Sequence, residues 1–308
     1  PDATIIRREG HAAAVSSVDS AERHASHAPA LFGYHVSDRQ RAHRPSAGSG
    51  GQDTVAMNAE IKKIEDLSLN AWPSWQMQVY DGWILRYSSF YTHRTNCVEQ
   101  IGVPHLSLSE KVPYCESVYH RWKTPCVFKI SPVGNPDLDV FLADRDYSIQ
   151  HHTTVMTRDL DDIDLAFDEN PEIPLTIENR VSYAWMEGLF SLKGMDDIVH
   201  RRIVPAMYDA IPKDEIAVSV RLNGRVVATG LGILDRDYIG VYAIHVGEDY
   251  RRCGMATRMV QAILREGRRQ GADHAYLQVV SDNSPARGVY EQNGFRELFC
   301  YWFRVKKV

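Results

Sequence analysis

The sequence predicts an α/β protein on a mixed sheet, laid out as two tandem copies of one αβαβ unit. Three observations predict it. From Met57 onward, apolar runs of strand period alternate with runs of helical period. Strong turn signals, Asn223-Gly224 above all, divide the runs. A pattern in the first half recurs after a shift of 149 residues.

In chain order, residues 1–56 stand apart. They begin with Pro, hold five of the 13 histidines, show no clear periodicity and close on "PSAGSGGQDTVA". That composition suits a flexible linker, so this stretch is expected to be a disordered or non-native extension. Met57 and "NAEIKKIEDLSLNAW" read as the start of the folded protein. The first copy spans 57–165 and the second 166–308. In the first, residues 110–123 form a helix, "PCVFKIS" (125–131) a strand, and Asn135-Pro136 caps the next helix. In the second, "EIAVSVRLNGRVVATGLGIL" (215–234) is a hairpin, and 238–246 is a third strand. Ala256, Met259, Val260, Ile263, Leu264 and Gly267 lie on one face of a helix that ends in Arg268, Arg269 and Gly271. "HAYLQVV" (274–280) is a buried strand, Ser284-Pro285 opens a short helix through Gln292, and "FRELFCYWFRV" is the closing strand.

Composition narrows the function classes. With Lys+Arg 35 against Asp+Glu 40, the chain has a net charge of −5. That argues against general nucleic-acid binding, which needs a basic face. Five scattered cysteines without metal-ligand spacing suggest reduced thiols in a cytoplasmic protein and no metal site. No apolar run approaches the ~18 residues of a membrane helix.

The chemistry concentrates at "DYRRCGMATRM" (249–259), between a strand and a helix. Arg251, Arg252, Cys253, Gly254, Met255, Ala256 and Thr257 give the form [Q/R]-x-x-G-x-[G/A]. A helix start leaves backbone N–H groups without partners, small residues let a ligand approach them, and the helix dipole adds positive charge. A pyrophosphate suits such a place. The first copy has Gly102, His105 and Ser107 where the second has Arg251, Gly254 and Ala256, and Phe141 where it has Tyr290. The first copy is therefore expected to lack a cofactor site.

With "YAIHVGEDYRRCGMATRMV" (242–260) and "YLQVVSDNSPARGVYEQNGF" (276–295), the chain resembles the GNAT superfamily of acyl-CoA-dependent N-acetyltransferases. The second stretch carries Asn283, Ala286, Tyr290, Gly294 and Phe295 at the family's spacing. Upstream, "LNAWPSWQ" and "YDGWILRYSSFYTHRTN" also look like the first domain of bacterial GNAT proteins with two tandem copies of the fold. The resemblance implies that the strand ending at Val246 splays from 274–280. Pantetheine would pair with the backbone of Ile244 and Val246, pyrophosphate would rest on the amides of Arg252 to Thr257, and Asn283 would reach the pantetheine. An amine would attack acetyl-CoA directly, with Tyr290 protonating the departing thiolate. The acceptor, a small-molecule or peptide amine, would lie against helices within 182–211. Among Tyr183, Trp185, Glu187, Asp196 and Asp197 there, Glu187 is the first choice for a catalytic carboxylate because it sits among aromatics. His245, alternating away from Ile244 and Val246, reads as structural or weakly substrate-facing. Two rival readings are a non-catalytic acyl-CoA-binding sensor and a transferase of another acyl group.

Overall fold

The computed structural model describes residues 50–166 and 173–306. Most of the expected extension, residues 1–49, lies outside the described residues. Residues 50–56, read from sequence as linker, form the opening turns of helix α1 (Gly50–Ala71). The first side chain of that helix to be buried is Ile61.

After α1 come β1 (Gln76–Tyr80) and β2 (Trp83–Tyr87), a hairpin with Asp81 and Gly82 both at positive φ. Next are β3 (Val98–Gln100), α2 (Leu108–Arg121), β4 (Cys126–Ile130), α3 (Asp137–Ala143) and β5 (Ser148–Asp159). The second half contains β6 (Leu175–Glu178), α4 (Tyr183–Lys193), α5 (Ile198–Asp209), β7 (Asp214–Leu222), β8 (Arg225–Asp235), β9 (Tyr238–Val246), α6 (Met255–Arg269), β10 (His274–Val280), α7 (Ser284–Gln292) and β11 (Arg296–Lys306). The predicted hairpin turn falls where expected: Asn223 and Gly224 have φ 51° and 76°, as a two-residue turn of the primed kind requires.

The eleven strands of the described residues form one sheet in the order β1-β2-β3-β4-β11-β5-β10-β9-β8-β7-β6. Its two parallel pairs are β3–β4 and β9–β10. The order is palindromic about the centre. β4 is followed by β11, β10 by β5, and these two closing strands pair antiparallel with each other. From sequence, "FRELFCYWFRV" (295–305) is the closing strand of the second copy. It instead lies beside β4 of the first half, and β5 takes the place beside β10. The exchange gives both strands a partner on each edge, so no central edge is left open.

The faces of the sheet follow the period of two along each strand. Ile216 and Val218 of β7 point to α6, packing with Met259, Ile263 and Leu264. Ala217, between them, joins Trp185, Leu189 and Met207 of α4 and α5 on the other face. In the first half, α2 lays Val112, Cys115 and Tyr119 on Trp83, Leu85 and Phe128. The α1 side chains Ile64 and Leu67 cover the exchanged strands at Val155, Tyr301 and Phe303.

At the start of α2, backbone donors are already engaged within the first half itself. The Asp81 carboxylate accepts hydrogen bonds from the His105 and Leu106 amides at 3.0 Å and pairs with Lys111 Nζ at 3.0 Å. Ser107 and Glu110 close the helix start with a capping box. The donors that would hold a phosphate are thus taken by the protein's own carboxylate. Its backbone bond from Leu106, with those from His105 and Lys111, holds the Asp81 carboxyl far below the usual range. A depressed acid stabilises the fold above its unfolded pKa of ~3.9, and this is lost as pH falls through the folded value. Asp81→Ala is therefore expected to lower the melting temperature at neutral pH, leaving the fully buried Lys111 unpaired. The gap from the wild type should narrow below pH ~4. Equal melting temperatures at pH 7 would contradict this reading of the α2 start.

Candidate active site

The site begins with an irregularity in β9. Register with β8 runs from Leu231↔Tyr242 to Thr229↔His245, so β9 holds one extra residue. Ala243 sits in this bulge with φ 48°, and its carbonyl accepts a hydrogen bond from Thr229 Oγ1 at 3.3 Å. A bulge bends a strand and re-aims its side chains. On the other edge of β9, parallel pairing with β10 stops at Val241↔Leu277. From Tyr242 onward the two strands part, as the splay expected from sequence requires. Ile244 and Val246 turn toward the α6 face, where they pack with Ala286 and Tyr290 against the same core.

The strand then leads into the turn singled out in the sequence. Residues Glu248–Tyr250 make one short turn, Arg252 adopts φ 62°, and Gly254 adopts φ 79° as the N-cap of α6. Arg251, Arg252, Cys253 and Gly254 are exposed, whereas Met255 is buried beneath them and anchors the helix. The first bond closing the helix runs from Arg258 N–H to Gly254 C=O at 3.0 Å. The amides of Met255, Ala256 and Thr257 thus precede the helical ladder. A Cβ placed on Gly254 would meet no protein atom within 4 Å. The glycine is required by its backbone angle, and the space before it is open to a ligand. A diphosphate fits this cradle of amides, helix dipole and arginines. The turn also ties itself together: Arg251 Nε donates to the Val246 carbonyl at 3.4 Å, and Cys253 Sγ to the Arg251 carbonyl at 3.5 Å.

Across the splay, Asn283 caps α7 by accepting from the Ala286 amide at 3.2 Å. Tyr290, one face further along α7, stacks edge-on to Phe295 with ring centroids 6.2 Å apart. Among the described residues its hydroxyl has no hydrogen-bond partner. Burial pushes this phenol up to about 12, so it stays protonated.

On the opposite face of the sheet, a cavity of about 170 Å3 opens at the bulge. The second half contributes Leu189, Lys193, Tyr208, Tyr242, Ala243, His245 and Gln278; the first contributes Trp72 just after α1, Tyr91 and Arg94. The His245 ring has no hydrogen-bond partner among the described residues. Burial, with help from Lys193 and Arg251, pushes its pKa down to about 4, so it is neutral at neutral pH. Helices α4 and α5 do wall this cavity, but not through the acids expected. Glu187 is drawn away by Arg201, whose Nη2 lies 2.5 Å from its carboxylate, and it does not line the cavity. Asp197 caps α5 through the His200 amide at 2.8 Å, Trp185 is buried with its Nε1–H donating to the Val218 carbonyl, and Tyr183 is 78% exposed.

Residues 58–303 match the family described as "Probable histone acetyltransferase Rv0428c C-terminal". The chain belongs to this family. It is a GNAT N-acetyltransferase. It is 24% identical over 249 residues to the Bacillus subtilis (strain 168) protein named Uncharacterized N-acetyltransferase YobR, across 80% of this chain and 99% of that protein. In fold it is similar to a GCN5-related N-acetyltransferase from Kribbella flavida, with a TM-score of 0.59 and 16% identity, covering 82% of this chain and 96% of that one. A tandem GNAT protein from the clavulanic acid biosynthesis pathway is also similar, with a TM-score of 0.55 and 13% identity, over 68% and 74% of the two chains. Among the described residues of the acetyltransferase, no helix is long and apolar enough to cross a membrane.

Sequence reasoning about the acetyltransferase missed the cavity's first-half wall. Trp72, Tyr91 and Arg94 belong to segments with no local motif, and only the tertiary fold brings them to β9. His245, read from sequence as structural or weakly substrate-facing, lines the same cavity. The one available signal was its alternation with Ile244 and Val246, which set it on the other face of β9 without showing that a cavity was there.

Proposed function

We propose that acetyl-CoA binds along the opening between β9 and β10, with its diphosphate on the amides of 252–257 and Arg251 and Arg252 beside it. Its acetyl group then passes to an amine held in the cavity at the bulge. The observation that carries this reading is a coincidence of three features on one strand and the turn that follows it. The bulge, the end of β9–β10 pairing and the open turn at Gly254 fall within residues 241–254. A sensor would need the turn but no cavity on the opposite face of the same bulge. The acyl group is assigned as acetyl in keeping with the N-acetyltransferase relatives.

The bound thioester supplies the electrophilic acetyl carbon, and the chain's residues position it and handle protons. Backbone N–H groups released by the bulge near Val246 would hold negative charge as it develops on the carbonyl oxygen. As the C–N bond forms, the amine nitrogen becomes a stronger acid, so even a weak base can take its proton. His245, neutral and lining the cavity, fills that role in place of Glu187. As the C–S bond breaks, Tyr290 donates to the sulfur. With the phenol near 12 and a thiol near 8.5, complete transfer is uphill by ~5 kcal/mol. Tyr290 therefore acts mainly as a hydrogen-bond donor to the departing sulfur. The thiolate leaves hydrogen-bonded to Tyr290 and takes its proton from solvent, to which His245 returns the proton lost by the amine.

His245→Gln is expected to lower kcat by ~10²-fold or more with the KM for acetyl-CoA little changed, and to regain rate as pH rises and solvent serves as base. Unchanged kcat at pH 7 would remove His245 from the mechanism.

A further inference from the structure

The charges around the cavity bear on what the acceptor is, an inference that rests on the reading of this cavity as the acceptor site. Four cations line it, Arg86, Arg94, Lys129 and Lys193, against one carboxylate, Glu99. Arg86 and Lys129 are already engaged: Arg86 Nη1 pairs with Glu99 at 2.9 Å, and Lys129 Nζ lies 3.1 Å from Glu99 and 3.0 Å from Glu65. Neither Arg94 nor Lys193 has a carboxylate partner among the described residues.

Arg94 is held by one edge. Its Nε donates to Tyr301 Oη at 2.6 Å, and Tyr301 Oη donates to Gln278 Oε1 at 2.6 Å. Gln278 Nε2 donates to Ser68 Oγ at 2.7 Å, and Ser68 Oγ to the Ile64 carbonyl at 2.8 Å. This relay links the first half, the exchanged strand β11, the splayed strand β10 and helix α1. It fixes the guanidinium plane and leaves the two terminal nitrogens, the fork, without partners among the described residues. A planar fork of that kind matches a carboxylate through two parallel hydrogen bonds. Lys193 stands at the cavity mouth, donating to Tyr91 Oη at 2.9 Å with its ammonium 4.7 Å from the Tyr91 ring centroid. The Tyr91 face is thus taken by the protein's own cation. Burial lowers the Lys193 pKa, an effect a bound anion would oppose. The cavity of about 170 Å3 has room for a small molecule.

We infer that the acceptor is a small amine that also carries a carboxylate, with the carboxylate docked on the Arg94 fork near Lys193 and the amine directed at the β9 bulge. Arg94 is then a specificity residue supplied by the half that lacks a cofactor turn.

The test uses the full chain with acetyl-CoA and reads thiol release. The acceptors are L-amino acids, the amines left when each loses its carboxylate, aminoalkylphosphonates and a lysine-rich peptide. An amino acid is expected to exceed its decarboxylated partner in kcat/KM by at least ~10-fold. Arg94→Lys, which keeps charge but loses the fork, should raise KM for the amino acid by ~10- to 100-fold and leave the rate on the decarboxylated amine unreduced. Should Arg94→Lys melt early, Lys193→Gln at the exposed mouth makes the same comparison, with a smaller rise in KM confined to the amino acid. A better rate on the decarboxylated amine or on the lysine-rich peptide would overturn the inference, as would equal losses on both members of a pair. Preference for the phosphonate would overturn the carboxylate assignment. A wild type that binds acetyl-CoA, yet neither acetylates an amino acid nor binds one by calorimetry, would overturn it too. Failure to bind acetyl-CoA at all would strike the underlying reading instead.

Discussion

Tyr290→Phe is expected to lower kcat by ~10²-fold or more while the affinity for acetyl-CoA stays within a few-fold. The substitution removes one hydroxyl and keeps the ring, which packs edge-on to Phe295 and against the core beside Ile244 and Val246. Because that hydroxyl bonds to nothing else among the described residues, its removal breaks no structural hydrogen bond. The melting temperature should therefore hardly change. The reciprocal change at the equivalent position of the first half, Phe141→Tyr, should leave turnover alone. Phe141 lies on α3, and Arg145 rests over its ring with the guanidinium carbon 3.6 Å from the centroid. An unchanged kcat in Tyr290→Phe would mean that water or another group serves the thiolate and that Tyr290 only packs.

Gly254→Val is expected to abolish stabilisation by acetyl-CoA. In the wild type, ligand at ~100 times its dissociation constant should add ~2.7 kcal/mol to stability. The valine faces two obstacles. At φ 79° a β-branched residue is strained, so the free protein itself should lose ~1–3 kcal/mol. The methyl groups would also occupy the space before the α6 amides that no protein atom fills. Gly254→Ala separates the two effects, since it carries much of the strain with little of the bulk. Thermal melts with and without acetyl-CoA should show a reduced shift in the alanine variant and none in the valine variant. An equal shift in all three proteins would place the diphosphate elsewhere.

Much of the second half is legible in the sequence because its signals are local. Asn223-Gly224 fixes a hairpin, the apolar face from Ala256 to Gly267 fixes α6, and the 274–280 strand is bounded by a glycine turn and an asparagine cap. The exchange of β5 and β11 is not legible. Each follows a short helix and has much the same alternation, so either could satisfy β4 or β10. Only the packing of both halves decides, and α1, crossing beneath the exchanged strands, is part of that packing. The turn at Gly254 was readable because backbone conformation and small residues leave a sequence trace. The cavity at the β9 bulge left none. Arg94 meets Tyr301 across 207 residues, and Glu187 loses its expected place to an arginine 14 residues on. The capping of the α2 start had a partial trace in Ser107. Asp81, which accepts from the His105 amide, lies 24 residues earlier, in the hairpin turn.

The most direct measurement of the central claim is a calorimetric titration of the full chain with acetyl-CoA. One site per chain is predicted, lost in Gly254→Val and kept in Asp81→Ala. Two sites per chain, or a single site that survives Gly254→Val unchanged, would contradict the account.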